Sequence, residues 1–313
     1  MTLAVEQRAQ LGEGLLWDAR GGRWWWTDIE AAALHAWTPG TQGIHTYRLP
    51  DRAGSMVHCR SGRILLGLAK LLCFASPVPA ADGVLLHQLP VQPAVPVDAG
   101  EPRTRINDGR TDRRGYYVFG TMNEAREKRP IASFYQYSIE HGLRRLALPA
   151  VAIANSICFS LDGATMYFTD TLTRRIMQCD YDAEAAKVAN IRLFADSGSE
   201  HAYPDGSVID REGCLWNAQW GAARVVRYDP AGRVVASIAV PVKNPSCPAI
   251  GGAAMDQLMV TSARQELSRA QLEQMPLSGS LFGVQLDAPL GVSDTLFDDG
   301  EIPHSTKTKK RQA

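Results

Sequence analysis

Glu212-Gly213-Cys214-Leu215-Trp216-Asn217-Ala218-Gln219-Trp220 is a glycine turn that runs straight into a short β-rich, aromatic stretch. Its reading decides the fold because the same unit returns along the chain. Gly21-Gly22 leads into Arg23-Trp24-Trp25-Trp26-Thr27-Asp28, Ser61-Gly62 into Arg63-Ile64-Leu65-Leu66-Gly67, and Arg114-Gly115 into Tyr116-Tyr117-Val118-Phe119-Gly120. Asp162-Gly163 leads into Ala164-Thr165-Met166-Tyr167-Phe168-Thr169-Asp170, and Met255-Asp256 into Gln257-Leu258-Met259-Val260-Thr261. Counted from Gly22 to Asp256, the six units are 40, 53, 48, 50 and 43 residues apart, the span of a four-stranded propeller blade. The spacing predicts an all-β fold, a six-bladed β-propeller whose four-stranded blades surround a central channel.

Working outward, further hairpin signals fall inside the units, such as Asp229-Pro230-Ala231-Gly232 between Arg224–Tyr228 and Val234–Ile238. Long amphipathic helical patterns are almost absent, the best being Arg264–Gln274, which argues against a doubly wound α/β fold. The apolar run Gly279–Val284 is expected to complete a blade with Leu3–Glu6, because joining the two ends closes the ring. Residues 1–302 are thus read as a single propeller domain and 303–313 as a polar, basic, disordered tail.

The 313 residues are 45% hydrophobic and 21% charged, ample for a soluble core. Thirty-three basic residues balance 33 acidic ones, which removes the electrostatic footprint of a nucleic-acid or anionic-membrane binder. The first ten residues lack an apolar core of signal-peptide length, so the expected compartment is the cytoplasm. The most apolar stretch, Ile64–Leu86, is broken by Lys70, Asp82 and two prolines, and reads as strands and loops rather than a membrane span. Six scattered cysteines form no metal-binding spacing and read as buried free thiols. Nothing in the sequence fixes an oligomeric state.

The turn glycines also serve as a ruler. Eight residues before Gly21, Gly115, Gly163 and Gly213 stand Glu13, Asn107, Asn155 and Asp205, each with a side-chain oxygen. The innermost strand of a blade lines the channel, so equivalent positions form a ring around the axis. Two carboxylates and two amides without a thiol make a hard oxygen site for one divalent metal ion: calcium, magnesium or manganese, with zinc also accepted. The other two units carry Gly54 and Pro248 at that place, leaving one side open. Taken singly, Asn107-Asp108-Gly109 and Pro204-Asp205-Gly206 are also ordinary turn sequences, and Glu13 between two glycines would suit a solvated loop.

Leu11-Gly12-Glu13-Gly14 with Trp17-Asp18, Arg105-Ile106-Asn107-Asp108-Gly109, Gly120-Thr121-Met122, and Asn155-Ser156 with Tyr167, Thr169 and Asp170 form one set of motifs. Tyr203-Pro204-Asp205-Gly206 followed by Asp210–Gly221 and Arg224–Pro230 is its strongest member. From about Leu11 to Val292 the chain resembles the senescence marker protein (regucalcin) and gluconolactonase family of sugar lactonases. That resemblance implies a six-bladed propeller whose metal is held by Glu13, Asn155 and Asp205, with Arg105 and Asn107 facing a small sugar lactone and Glu124 as a further substrate-side residue. Leu15, where the family often has proline, and Ala222, where a second glycine often stands, depart from the pattern without touching a proposed ligand.

Hydrolysis of a lactone needs a polarised carbonyl, an activated water and a grip on a polyhydroxylated ring, and Asp205 is the expected general base as well as a ligand. The guanidinium fork of Arg105 suits an ester carbonyl or ring hydroxyls, though a surface ion pair is the plain alternative. His58, His141 and His201 stand in no nucleophile motif, and no Gly-x-Ser-x-Gly elbow frames Ser156, so a serine hydrolase is set aside. Trp24, Trp25 and Trp26 read as blade packing, and Trp220, which follows the second-strand run of its blade, is not assigned to the site. Three other functions stay open: a non-catalytic calcium-binding protein of the regucalcin type, a metal-dependent esterase with non-sugar substrates, and an interaction propeller.

Overall fold

The computed structural model of the protein describes residues 1–77, 87–198 and 201–300. Six antiparallel sheets follow one another as a ring of blades, which is the expected six-bladed β-propeller. From the channel outward, blade I has strands Gly12–Asp18, Arg23–Asp28, Ala33–Trp37 and His45–Arg48, and blade II has Ala53–His58, Ile64–Leu68, Leu71–Ala75 and Val91–Pro96. Blade III has Thr104–Thr111, Tyr117–Asn123, Phe134–Ser138 and Gly142–Arg145, and blade IV has Ala154–Phe159, Thr165–Asp170, Arg175–Asp182 and Lys187–Asp196. Tyr203–Ile209, Leu215–Trp220, Arg224–Tyr228 and Val234–Ala239 make blade V. His87–Gln88 adds a short parallel strand outside blade I.

Blade VI is built from both ends of the chain. Pro245–Gly251, Gln257–Ser262 and Leu281–Gln285 supply its inner three strands, and Thr2–Val5 supplies the outermost in the register Thr2↔Gly283 and Leu3↔Phe282. The closure anticipated between the two apolar ends is therefore present, displaced by a residue or two. The helical pattern over Arg264–Gln274 condenses to one short helix, Arg269–Gln274, started by a capping box on Ser268. The tail 303–313 and part of the Ile64–Leu86 stretch, residues 78–86, lie outside the described residues. No helix among the described residues is long and apolar enough to cross a membrane.

Alternation along each strand sends successive side chains to the two faces of a blade, and both faces are covered by neighbours. Trp25 accordingly packs with Leu16, Met56 and Leu66 between blades I and II, while Trp24 and Trp26 pack with Ala249, Met259 and Leu281 between blades I and VI. Each remaining blade interface has its own apolar cluster: II with III around Phe119, III with IV around Phe134 and Phe168, IV with V around Tyr167 and Tyr228, and V with VI around Trp216 and Phe282. All six cysteines are buried free thiols.

A strap of residues 286–300 then crosses the face that carries the first hairpin turns. The Arg211 N–H donates to Leu290 O, Arg110 Nη1 donates to Asp294 Oδ1 at 2.7 Å, and the Phe297 N–H donates to His58 O. Phe297 is fully buried between blades II and III, stacked on Tyr137 with ring centroids 5.7 Å apart. Phe297→Ala is expected to cost about 3–5 kcal/mol of stability, the usual loss for emptying a site of this size. A thermal or urea melt reads it, and an unchanged midpoint would mean that the strap only drapes the ring.

Candidate active site

Every inner strand breaks its pairing register at the same level of the channel. The shifts fall between Glu13 and Leu16, Ile106 and Gly109, Asn155 and Cys158, and Pro204 and Ser207, with counterparts at Ala53/Ser55 and Pro245/Pro248. A β-bulge leaves residues unpaired and re-aims neighbouring side chains; Asn107 and Asp205 are the first residues inside their bulges, and Glu13 and Asn155 are the last paired residues before theirs. Gly14 and Ser156, next to Glu13 and Asn155, take the left-handed conformation, φ 61° and 58°. The Ser156 hydroxyl donates to Asp205 O at 2.6 Å, and Asn217 Nδ2 reaches the same carbonyl at 3.2 Å. These bonds tie the backbone of blade V at Asp205 to that of blade IV at Ser156.

Glu13, Asn155 and Asp205 are buried at 8%, 5% and 6% exposure, yet all three line one cavity of about 590 Å³. The two carboxyl groups are close enough to influence each other's ionisation. Burial, then the nearby charge of Asp108, pushes Glu13 up to about 8. Burial, then the charge of Glu13, holds Asp205 well above the ordinary carboxylate range. Two desolvated acids near each other with an amide oxygen beside them are a donor set that a divalent cation would satisfy, since its charge would offset the burial and mutual repulsion that keep protons on them. No cluster of three or more His, Cys, Asp or Glu side chains placed to hold a metal occurs among the described residues. A cation bound here would have two carboxylates and the Asn155 amide oxygen as its protein donors.

Asn107, the fourth ring residue, is turned differently. Its Oδ1 accepts from Arg105 Nη1 at 2.7 Å, while its Nδ2 donates to Asn155 Oδ1 at 3.0 Å and to Ala154 O at 2.9 Å. It bridges Arg105 to Asn155 rather than pointing a free oxygen at the carboxylates. Asn155 is fixed from its other end by Nδ2 donating to Thr171 Oγ1 at 2.9 Å. Gly54 of blade II backs this arrangement: a Cβ there would stand 2.6 Å from Asn107 O, so only glycine lets blade II approach. Asp108 sits below, buried, with Oδ2 accepting from the Ile157 N–H at 2.9 Å, and so pins the bulge that carries Asn155.

Arg105 is 3% exposed and lines the cavity, and its Nε makes no hydrogen bond. Its nearest acid is Glu124, with 3.5 Å between Arg105 Nε and Glu124 Oε1. Glu124 is itself gripped by Arg52, whose Nη1 and Nη2 donate to Oε1 and Oε2 at 2.6 and 3.0 Å. Glu124 thus stands behind Arg105, holding the guanidinium, while Glu13, Arg105, Asn107, Asn155 and Asp205 share the cavity wall.

Asp108, Ser156, Asn217 and Thr171 support the site without having been singled out. Asp108 and Ser156 directly follow ring residues in the sequence, a signal hidden because Asn-Asp-Gly also reads as a plain turn. Lys128, Tyr203, Lys243 and Glu266 reach the cavity from the ends of strands and the loops above them, positions that strand periodicity does not place.

A propeller with an axial carboxylate and amide centre under a cavity of small-molecule size defines a ligand-binding or hydrolytic propeller. The chain belongs to the SMP-30/Gluconolactonase/LRE-like family, which it matches over residues 11–264. Among its relatives, the L-arabinolactonase of Azospirillum brasilense is 41% identical over 286 residues, covering 91% of each chain. The 6-deoxy-6-sulfogluconolactonase of Pseudomonas putida is 30% identical, covering 94% of this chain and 97% of its own. The crystal structure of a calcium-binding protein, regucalcin, from Agrobacterium tumefaciens superposes with a TM-score of 0.83 at 31% identity, over 94% of this chain and 96% of that one.

Proposed function

We propose that the chain hydrolyses the cyclic ester of a sugar acid, an aldonolactone, to the open aldonic acid, with one divalent metal ion held by Glu13, Asn155 and Asp205, and that it works in the cytoplasm. The observation that carries the reading is the pair of buried carboxyl groups, Glu13 and Asp205, set beside Arg105 and Asn107 in one cavity. The names of relatives at 41% and 30% identity point to the same chemistry. A cation bound there supplies Lewis acidity toward the ester carbonyl and lowers the pKa of a water.

The chain's own groups do the rest. Asp205 accepts the proton of the attacking water and returns it to the ring oxygen as the C–O bond breaks. Arg105 offers the guanidinium donors that are not turned to Glu124 and Asn107 to the substrate side, while those two residues keep it oriented. Lactone and water become a hydroxy acid, whose carboxyl group ionises at neutral pH and releases one proton.

That proton is the assay. Chelator-stripped protein is offered five- and six-ring lactones of arabinonic, gluconic, galactonic and fuconic acids, each with calcium, manganese, magnesium or zinc. L-arabinonolactone is the first to try, after the name of the 41% identical relative. Metal-dependent acid release from one sugar lactone is the expected result. Release only from apolar aryl esters would favour an esterase, and tight metal uptake without turnover would favour the non-catalytic calcium-binding reading that a regucalcin relative keeps in view.

A further inference from the structure

We infer that Trp220 and Tyr203 of blade V form the platform on which the apolar face of the sugar ring lies, and that this pair, rather than the metal centre, sets how tightly a lactone is held. The inference rests on the lactonase reading above.

The two residues are direct partners across the first two strands of blade V, so their side chains leave the same face of the sheet. Both are half-buried and both line the cavity. Trp220 is braced from behind by the buried Leu11, Ile29 and Ala263. The turn after it is held by Gly221 at φ 83°, where a Cβ would meet His201 O at 2.6 Å and Tyr203 Cδ2 at 3.9 Å. Trp220 is therefore held in place before any ligand arrives.

Their polar ends remain available. Among the described residues, neither Trp220 Nε1 nor Tyr203 Oη makes a hydrogen bond, whereas the neighbouring Asn107, Asn155 and Thr171 are engaged with one another. Trp26 Nε1 donates to Gln7, Trp37 Nε1 to Thr41 O and Trp216 Nε1 to Asp210, Trp24 and Trp25 are buried, and the half-buried Trp17 does not line the cavity.

A sugar lactone is amphipathic, with hydroxyls around its rim and C–H bonds on a face. Blade III offers the rim its donors through Arg105 and Asn107, and blade V offers the face two aromatic rings, each with one free donor. Aromatic side chains combine such an apolar face with a polar tip, and a small ordered set of them lowers the entropy lost on binding.

The test compares Trp220→Ala, Trp220→Phe and Tyr203→Phe in the metal-loaded full-length chain. Turnover of the lactone found above is followed, and aldonolactams, which keep the ring but resist hydrolysis, are titrated by calorimetry. Trp220→Ala is expected to raise KM and the lactam Kd about 5- to 20-fold with kcat nearly unchanged, and Trp220→Phe to restore most of the loss. Unchanged KM and Kd in Trp220→Ala, or a loss confined to kcat, overturns the platform, as does wild-type protein that binds no lactam. If wild type binds lactams through Trp220 yet turns over no lactone, the platform stands and the hydrolytic reading falls.

Discussion

Asp205→Asn is expected to lower kcat by about 10²- to 10⁴-fold, the range that a positioned general base contributes, while the protein keeps its fold. The asparagine preserves the shape and one oxygen donor but cannot take a proton. Asp205→Ala removes the donor as well and should cost metal affinity in addition to turnover. The backbone at 205 is secured independently of the carboxylate, because Ser156 Oγ and Asn217 Nδ2 both donate to its carbonyl, so neither substitution should open the blade. The variants are compared by initial rates at saturating metal and by calorimetric metal titration. Full turnover by Asp205→Asn with metal bound would remove Asp205 from the role of base and leave it as a ligand only.

Above about pH 6.5, beyond the range in which the buried His35 and His58 make stability rise with pH, the metal-free protein should become less stable as pH rises to 8, opposite to the usual behaviour of a chain whose carboxylates are ion-paired. The sign follows from Glu13, whose folded pKa of about 8 lies above its ordinary 4.5. A carboxyl raised in this way favours folding fully below the unfolded pKa, and that contribution is lost as pH climbs through the folded value. Asp205 is raised in the same direction. One pKa unit corresponds to about 1.4 kcal/mol, so the loss is on the order of a few kcal/mol, or roughly 5 °C in Tm for a chain of this length. A saturating divalent cation should reverse it, and reverse more of it at pH 8 than at pH 5, because the cation takes the place of a proton. Melting scans at pH 5, 6, 7 and 8, with chelator and with metal, decide the point. A flat or rising profile between about pH 6.5 and 8 in chelator contradicts it, and Glu13→Gln should flatten the slope.

The sequence made the blades and the ring legible for a physical reason. Each blade is one hairpin-rich unit whose turn chemistry repeats, and Asn155 and Asp205 stand eight residues before the left-handed glycines Gly163 and Gly213, with Glu13 nine before Gly22, because every inner strand carries its bulge at nearly the same level. Closure by Thr2–Val5 was legible because an apolar run near each end had no partner of its own. Asn107 shares the ruler position, but its orientation depends on Arg105 and on the approach of Gly54 from another blade, neither of which spacing encodes. Glu124 follows a recognisable motif, yet its engagement by Arg52 joins residues 72 apart in the chain. The cavity rim at Lys128, Lys243 and Glu266 is built from loop positions, whose conformations no strand periodicity specifies.

Blade VI has a consequence for the time order of synthesis. Thr2 pairs with Gly283, so the first strand leaves the ribosome with its partner about 280 residues away in the message. At typical rates of about 5–20 residues per second, that strand waits on the order of tens of seconds before it can dock. During the wait, Trp24 and Trp26 of blade I have no blade VI to cover them, and the nascent protein must travel as an open arc with an aromatic flank exposed. Chaperone dependence during translation, rather than fragility of the finished molecule, is the vulnerability that this way of closing a circle builds in.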